Sequence, residues 1–168
     1  MTAVYILMGV SGCGKSTVGR ALAAQLNCPF YDGDDFHSPE NVAKMAGGAP
    51  LTDAEREPWL DQLAVLIGEQ IGREETAVFA CSALKKQYRD RLRISDQVKF
   101  VYLHGEFDLI WRRLQQRDAH YMKATMLRSQ FAALEPPDIS EALRVDITAP
   151  IGDVLAQIYA NRPTDHST

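Results

Sequence analysis

Apolar positions along this chain follow two alternating rhythms. Residues 3–8, 29–31, 77–81, 98–103 and 144–147 form five short apolar runs, most of them too continuous for a strand with one wet face. Such runs predict strands buried on both sides, the pattern of a parallel sheet. Between them the apolar residues recur at three- and four-residue spacing: Val18, Leu22 and Leu26; Phe107, Ile110, Trp111 and Leu114; Ile151, Val154, Leu155 and Ile158. That period lines one face of a helix. Strand and helix in alternation predict the α/β class.

Leu60, Leu63, Ala64, Ile67 and Ile71 mark the clearest amphipathic helix, with Pro58 in its first turn, where a missing N–H leaves no bond unmade. Thr52 and Glu55 have the spacing of a capping box and predict a separate short helical turn before it. Two stretches break the rhythm. Residues 36–50 mix prolines, glycines and polar side chains, and with the turn that follows they predict a substrate-covering segment over 36–58. Arg117, His120, Tyr121 and Lys123 interrupt two helical patterns and predict a lid over 117–125. The polar tail 162–168 is expected to fray. One domain over 1–168 accounts for the whole length.

With 22 acidic and 18 basic residues the net charge is −4. No basic footprint for nucleic acid or an anionic membrane is present, so an anionic ligand must be held by locally placed groups. Cys13, Cys28 and Cys81 are odd in number and lack metal-ligand spacing, which predicts free thiols buried in a reducing cytosol. The run 3–8 has no basic leader and leads straight into glycines, unlike a signal peptide or a membrane span. A cytoplasmic location follows, and a homodimer is compatible with this composition.

Gly9-Val10-Ser11-Gly12-Cys13-Gly14-Lys15-Ser16 satisfies the P-loop pattern, between an apolar run and a helical one. In such a loop the backbone N–H groups of 9–17, through Thr17, and the helix N-terminus make a concave site for the phosphates of ATP. Lys15 then reaches the β- and γ-phosphates and Ser16 ligates Mg²⁺. Cys13 occupies a free position of the loop and reads as filler. A P-loop is shared by kinases, GTPases, motors and sensors, but the GTPase signatures Asn-Lys-x-Asp and Asp-x-x-Gly do not occur. Tyr31-Asp32-Gly33-Asp34-Asp35 follows the second apolar run directly, where parallel sheets present residues to their ligand crevice. Three carboxylates in four residues favour a site for metal and hydroxyl, one carboxylate holding Mg²⁺ through water and another accepting a hydroxyl proton. The alternative is an acidic surface turn with Gly33 at its tip.

Together with the P-loop, Asp32-Gly-Asp-Asp-Phe-His37-Ser-Pro39, Pro50-Leu-Thr-Asp-x-x-Arg56-x-Pro-Trp59-Leu60, Cys81-Ser-Ala-Leu-Lys85-Lys-x-Tyr-Arg89 and Ser129-Gln-Phe-x-x-Leu-Glu135-x-Pro137 resemble the gluconate kinase family over residues 4 to 150. The resemblance implies transfer from ATP to D-gluconate, giving 6-phosphogluconate and ADP. It also implies kinship with shikimate and adenylate kinases: a P-loop NTPase fold with a five-stranded parallel sheet flanked by helices, a lid and a substrate-covering segment. Asp34 matches the position that holds the acceptor hydroxyl in related kinases, and Asp32 their Mg²⁺ aspartate. Thr148-Ala149-Pro150 falls where relatives clasp the adenine edge.

Gluconate, a carboxylate with a row of hydroxyls, calls for a cation and several hydrogen-bonding groups. Arg56, Lys85, His37 and Asp34 supply that set; Arg56 can also be read as a solvated helical residue, and His37 as a turn cap. Lys86, Arg89, Arg91 and Arg93 read as a solvated basic face. Arg113 and Arg117, four apart on the helix entering the lid, are candidates for the nucleotide and for the transferring phosphate respectively; Lys123 and Gln130 are weaker ones. Ser82 stands where many P-loop proteins carry a metal-binding aspartate after the third strand, which gives Asp32 more weight. A kinase for another small acid such as shikimate, or an ATP sensor without catalysis, are the competing readings.

Overall fold

In the computed structural model, which describes residues 1–117 and 124–163, the five apolar runs become β1 (Val4–Met8), β2 (Phe30–Asp32), β3 (Ala77–Ala80), β4 (Val98–His104) and β5 (Ala142–Asp146). They form one parallel sheet in the order β2-β3-β1-β4-β5. Every residue of central β1 is buried, because helices cover both faces. Tyr5 and Leu7 point to a core that includes Leu22 of α1 (Lys15–Leu26), Ile110 of α5 (Phe107–Gln115), Leu127 of α6 (Ala124–Ala133) and Ile158 of α7 (Ile151–Ala160). Val4, Ile6 and Met8 point to the opposite core, closed by Leu60, Leu63 and Ile67 of α3 (Asp53–Gly72) and by Tyr88 and Leu92 of α4 (Lys86–Leu92). The α/β expectation and the five parallel strands hold, with strand ends shifted by one or two residues. No helix among the described residues is long and apolar enough to cross a membrane.

Three local expectations are corrected. Residues 36–50 are not irregular throughout: α2 (Pro39–Ala46) forms there, with Pro39 at its start and Ser38 Oγ accepting the Asn41 N–H at 3.2 Å. The Thr52–Glu55 capping box does not cap a separate turn. It starts α3 itself, and Pro58 lies inside that helix. The proline removes a bond to the carbonyl of Ala54, but both residues are exposed, so water can satisfy that oxygen.

Arg89, read as part of a solvated basic face, is instead 1% exposed. Its Nε donates to Glu141 Oε1 at 2.6 Å, Nη1 to the carbonyls of Ala83 and Leu84 at 2.9 and 3.0 Å, and Nη2 to that of Glu135 at 2.9 Å. The guanidinium thus ties the loop after β3 to the segment before β5. Removing it strands a carboxylate and three carbonyls, so Arg89→Met is expected to lose about 3 kcal/mol of stability or more, measured by urea unfolding; a change under about 1 kcal/mol would refute this role.

Candidate active site

The C-terminal ends of β1, β2 and β3 carry the site. The Gly9 N–H donates to the Ser82 carbonyl at 3.1 Å, fastening the phosphate loop to the end of β3. Gly9 has φ of 140°, and a Cβ there would lie 2.8 Å from Cys13 Sγ and 2.9 Å from the Leu103 carbonyl, so only glycine fits. Cys13 is buried beneath the loop, consistent with a packing role. Lys15 Nζ donates to the Gly9 and Val10 carbonyls, both at 3.0 Å. The ammonium therefore lies curled over its own loop, where a phosphate would be a stronger partner than two neutral carbonyls.

Ser16 Oγ donates to Asp32 Oδ2 at 3.1 Å, joining the first turn of α1 to the end of β2. The other Asp32 oxygen accepts the Asp34 N–H at 3.0 Å and caps the 3₁₀ turn Gly33–Phe36. A Cβ on Gly33 would sit 2.6 Å from the Ala80 carbonyl. Trp59 Nε1 donates to the Gly33 carbonyl at 2.7 Å, so α3 pins the turn from the other side. The acidic stretch is thus a built turn, held against β3 and α3. Its hard oxygen pair, Ser16 and Asp32 beside a phosphate loop, suits Mg²⁺, which takes few protein ligands together with phosphate oxygens and water.

Asp34 projects from this turn with its side chain 83% exposed. The surrounding protein raises its pKa by desolvation, and Lys15 is the main opposing charge. Because the carboxylate meets solvent in the open cleft, water screens these effects until a ligand displaces it. The His37 side chain is 4% exposed, its ring stacked on Trp59 at 4.2 Å and its Nε2 3.8 Å from Asp34 Oδ1. Burial lowers its pKa, against the pull of Asp34. Nδ1 is buried and has no hydrogen-bond partner among the described residues. The His37 ring is thus packed beside Asp34, while its backbone N–H caps the 3₁₀ turn by donating to the Asp34 carbonyl at 3.4 Å.

A cleft of about 410 Å³ lies between the start of α3, the loop into α4, and α6, and is lined by Leu51, Thr52, Asp53, Arg56, Lys85 and Gln130 among others. Arg56 Nη1 donates to the Leu51 carbonyl and, at 3.4 Å, to the Tyr88 hydroxyl. Lys85 Nζ donates to Asp53 Oδ1 at 2.9 Å. Gln130 Oε1 accepts the Ser11 N–H at 2.7 Å and its Nε2 donates to Ser11 Oγ at 3.0 Å, so one α6 side chain joins this cleft to the phosphate loop.

Lys15, Ser16, Asp32, Asp34 and His37 are therefore brought together at the strand ends, and Arg56 and Lys85 on the wall of the adjoining cleft. The two lid arginines do not share a helix face. α5 ends at Gln115, Arg113 Nη2 donates to the Ile147 carbonyl at 2.9 Å, and exposed Arg117 lies in the turn beyond. That places Arg113 next to Thr148-Ala149-Pro150. Residues 118–123, most of the predicted lid with Lys123, fall outside the described residues, as do residues 164–168 of the tail. Sequence reasoning passed over Asp53 and Tyr88: the first looks like an ordinary first-turn acid, and the second lies three residues past Lys85 within a block already quoted.

The family described as "Shikimate kinase" matches residues 11–136. The "Thermosensitive gluconokinase" of Escherichia coli K12 is 45% identical over 156 residues, covering 91% of this chain and 83% of that protein. The crystal structure of a gluconokinase from Sinorhizobium meliloti 1021 superposes with a TM-score of 0.83 at 40% identity, covering 94% of this chain and 90% of the other. An unliganded sugar kinase from Janibacter sp. HTCC2649 gives a TM-score of 0.89 at 37% identity, over 95% and 94%.

Proposed function

The chain belongs to the shikimate kinase family and, within it, to the gluconokinases, and from that premise we propose that it phosphorylates D-gluconate at the expense of ATP, yielding 6-phospho-D-gluconate and ADP in the cytoplasm. The observation that carries the substrate side is Arg56, a guanidinium with no carboxylate partner among the described residues, on the wall of a cleft that Gln130 joins to the phosphate loop. A planar cation of this kind suits the two oxygens of a carboxylate.

In this reading the N–H groups of the loop, residues 9–17, cradle the triphosphate, and Lys15 leaves the Gly9 and Val10 carbonyls for the β- and γ-phosphates. Ser16 and Asp32 would hold Mg²⁺, which neutralises phosphate charge when bound. Arg56 takes the gluconate carboxylate, while hydroxyls along the chain meet Lys85 and its neighbours. Asp34 orients the primary hydroxyl and accepts its proton as the new O–P bond forms and the bond from the γ-phosphorus to the β-phosphate oxygen breaks. His37, stacked on Trp59 beside Asp34, stands on the substrate side to meet a gluconate hydroxyl. Arg113 stands on the nucleotide side. Arg117 serves the transferred phosphoryl group, and the segment 36–58 covers the substrate within a single domain so that water is excluded.

Arg56→Ala is expected to raise the KM for gluconate about 10- to 100-fold while the KM for ATP stays within about twofold. Steady-state kinetics with gluconate varied at saturating ATP, then the reverse, reads this directly. Equal gluconate KM in both proteins would move the carboxylate elsewhere. ADP release that does not depend on gluconate would remove the kinase reading itself.

A further inference from the structure

Among the described residues, the cations around the substrate wall are paired with carboxylates, with one exception. Lys44 Nζ lies 2.8 Å from Glu55, Lys85 Nζ 2.9 Å from Asp53, and Arg91 Nε 2.6 Å from Asp61. Among the described residues Arg56 hydrogen-bonds only to neutral oxygens, those of Leu51 and Tyr88. The pairing at Lys85 is elaborate. Asp53 Oδ1 accepts from both Lys85 Nζ and the Tyr88 hydroxyl, and Oδ2 accepts from Gln87 Nε2 at 3.2 Å. These partners lie more than thirty residues away along the chain, so Asp53, at the first position of α3, binds the substrate-covering side of the cleft to the start of α4. Tyr88 stands between the two cations, its ring 5.5 Å from the Arg56 guanidinium and 5.8 Å from Lys85 Nζ.

The cleft wall therefore holds Arg56, Lys85 and Asp53 together, with a net charge of one positive unit. We infer that Asp53 is a specificity-determining residue: it neutralises Lys85 and keeps it for hydroxyl contacts, so that Arg56 alone receives the carboxylate of a singly charged sugar acid. This rests on the reading of Arg56 given above. The hydrogen bonds from Tyr88 and Lys85 hold the Asp53 carboxyl down to about 2, so it is ionised wherever the enzyme works. If Asp53 were a plain staple between helices, its charge would be incidental and its hydrogen-bonding shape would be everything.

Charge and shape separate in Asp53→Asn, which keeps an accepting oxygen for Tyr88 and loses the negative charge. Gluconate KM is measured for the wild type, Arg56→Ala, Asp53→Asn and the double variant, with ADP affinity read on each by calorimetry to show that the nucleotide site is intact. Arg56→Ala weakens gluconate, and adding Asp53→Asn recovers about five- to tenfold of that loss, because Lys85 is released to take the carboxylate. A second pair reads the same charge from the other side. Lys85→Met removes its own hydroxyl contacts and also leaves Asp53 free to turn on Arg56, and adding Asp53→Asn recovers the second part of that loss, so the double variant binds gluconate more tightly than Lys85→Met alone. Failure of the double variants to exceed the single ones, with ADP binding intact, overturns the role of Asp53. If a double variant loses ADP binding, the other pair decides. An unchanged gluconate KM in Arg56→Ala overturns both the carboxylate reading and the inference built on it, whereas a weakened Arg56→Ala without recovery overturns only the inference.

Discussion

Lys15→Ala is expected to lower kcat about a thousandfold, on the order of 4 kcal/mol of transition-state stabilisation, while leaving the fold intact. The side chain is half-buried and its ammonium bonds the Gly9 and Val10 carbonyls and, at 4.0 Å, the Cys13 Sγ, all within its own loop. The loop itself is held by bonds that do not involve Lys15, from Gly9 to Ser82 and from Ser11 to Gln130, and Cys13 packs beneath it. Stability should therefore change little. The phosphates, by contrast, lose their one mobile cation in the loop, in a position where no reorganisation is needed as charge moves toward the leaving oxygen. The KM for ATP rises less than kcat falls, because the loop N–H groups still bind the triphosphate. Single-turnover kinetics with gluconate saturating, alongside thermal unfolding, checks both halves. Near-normal turnover would sink the mechanism, and loss of the folded state would show that Lys15 is structural.

What the sequence made legible and what it hid divide along one physical line. Features set by residues close together in the chain were readable: the buried strands, whose apolar runs saturate because both faces are covered, and the loop Gly9–Ser16, whose glycines answer to local backbone geometry. The acidic stretch was readable as a turn around Gly33 and as a candidate site, because three carboxylates in four residues favour shared cations and donors. Features set by pairs distant in the chain were not. Arg89 looks like one more surface arginine until Glu141 and the carbonyls of Ala83, Leu84 and Glu135 surround it. Asp53 suits the first turn of a helix, and that sufficient local reason concealed its bonds to Lys85, Gln87 and Tyr88. His37 caps the 3₁₀ turn through its backbone N–H, but its stacking on Trp59, twenty-two residues away, had no local signal. The helix over 53–72 was split in the reading by Pro58, whose penalty is small where the orphaned carbonyl is wet.

Asp34→Asn is expected to lower kcat about 10²- to 10³-fold with the KM values for ATP and gluconate changed by less than about fivefold. Asparagine preserves the shape of the side chain and one accepting oxygen, so it can still orient a hydroxyl, but it takes no proton. The turn that carries it should survive, since its backbone is held by Asp32 and Trp59 and the carboxylate itself projects from the turn. Two effects compete in setting the size of the loss. Phosphoryl transfer is loose, so the attacking hydroxyl carries little charge until late, which limits the gain from a base. Against this, a closed cleft leaves the hydroxyl proton no water to go to, and Asp34 is a carboxylate within the field of Lys15. The second effect is the larger once closure over the substrate excludes water, because the product oxygen cannot form its ester while keeping its proton. Asp34→Ala, which can neither orient nor accept, supplies the comparison. If Asp34 serves as the proton acceptor, asparagine and alanine fall together; if it only orients the hydroxyl, asparagine stays within about tenfold of wild type and alanine alone collapses.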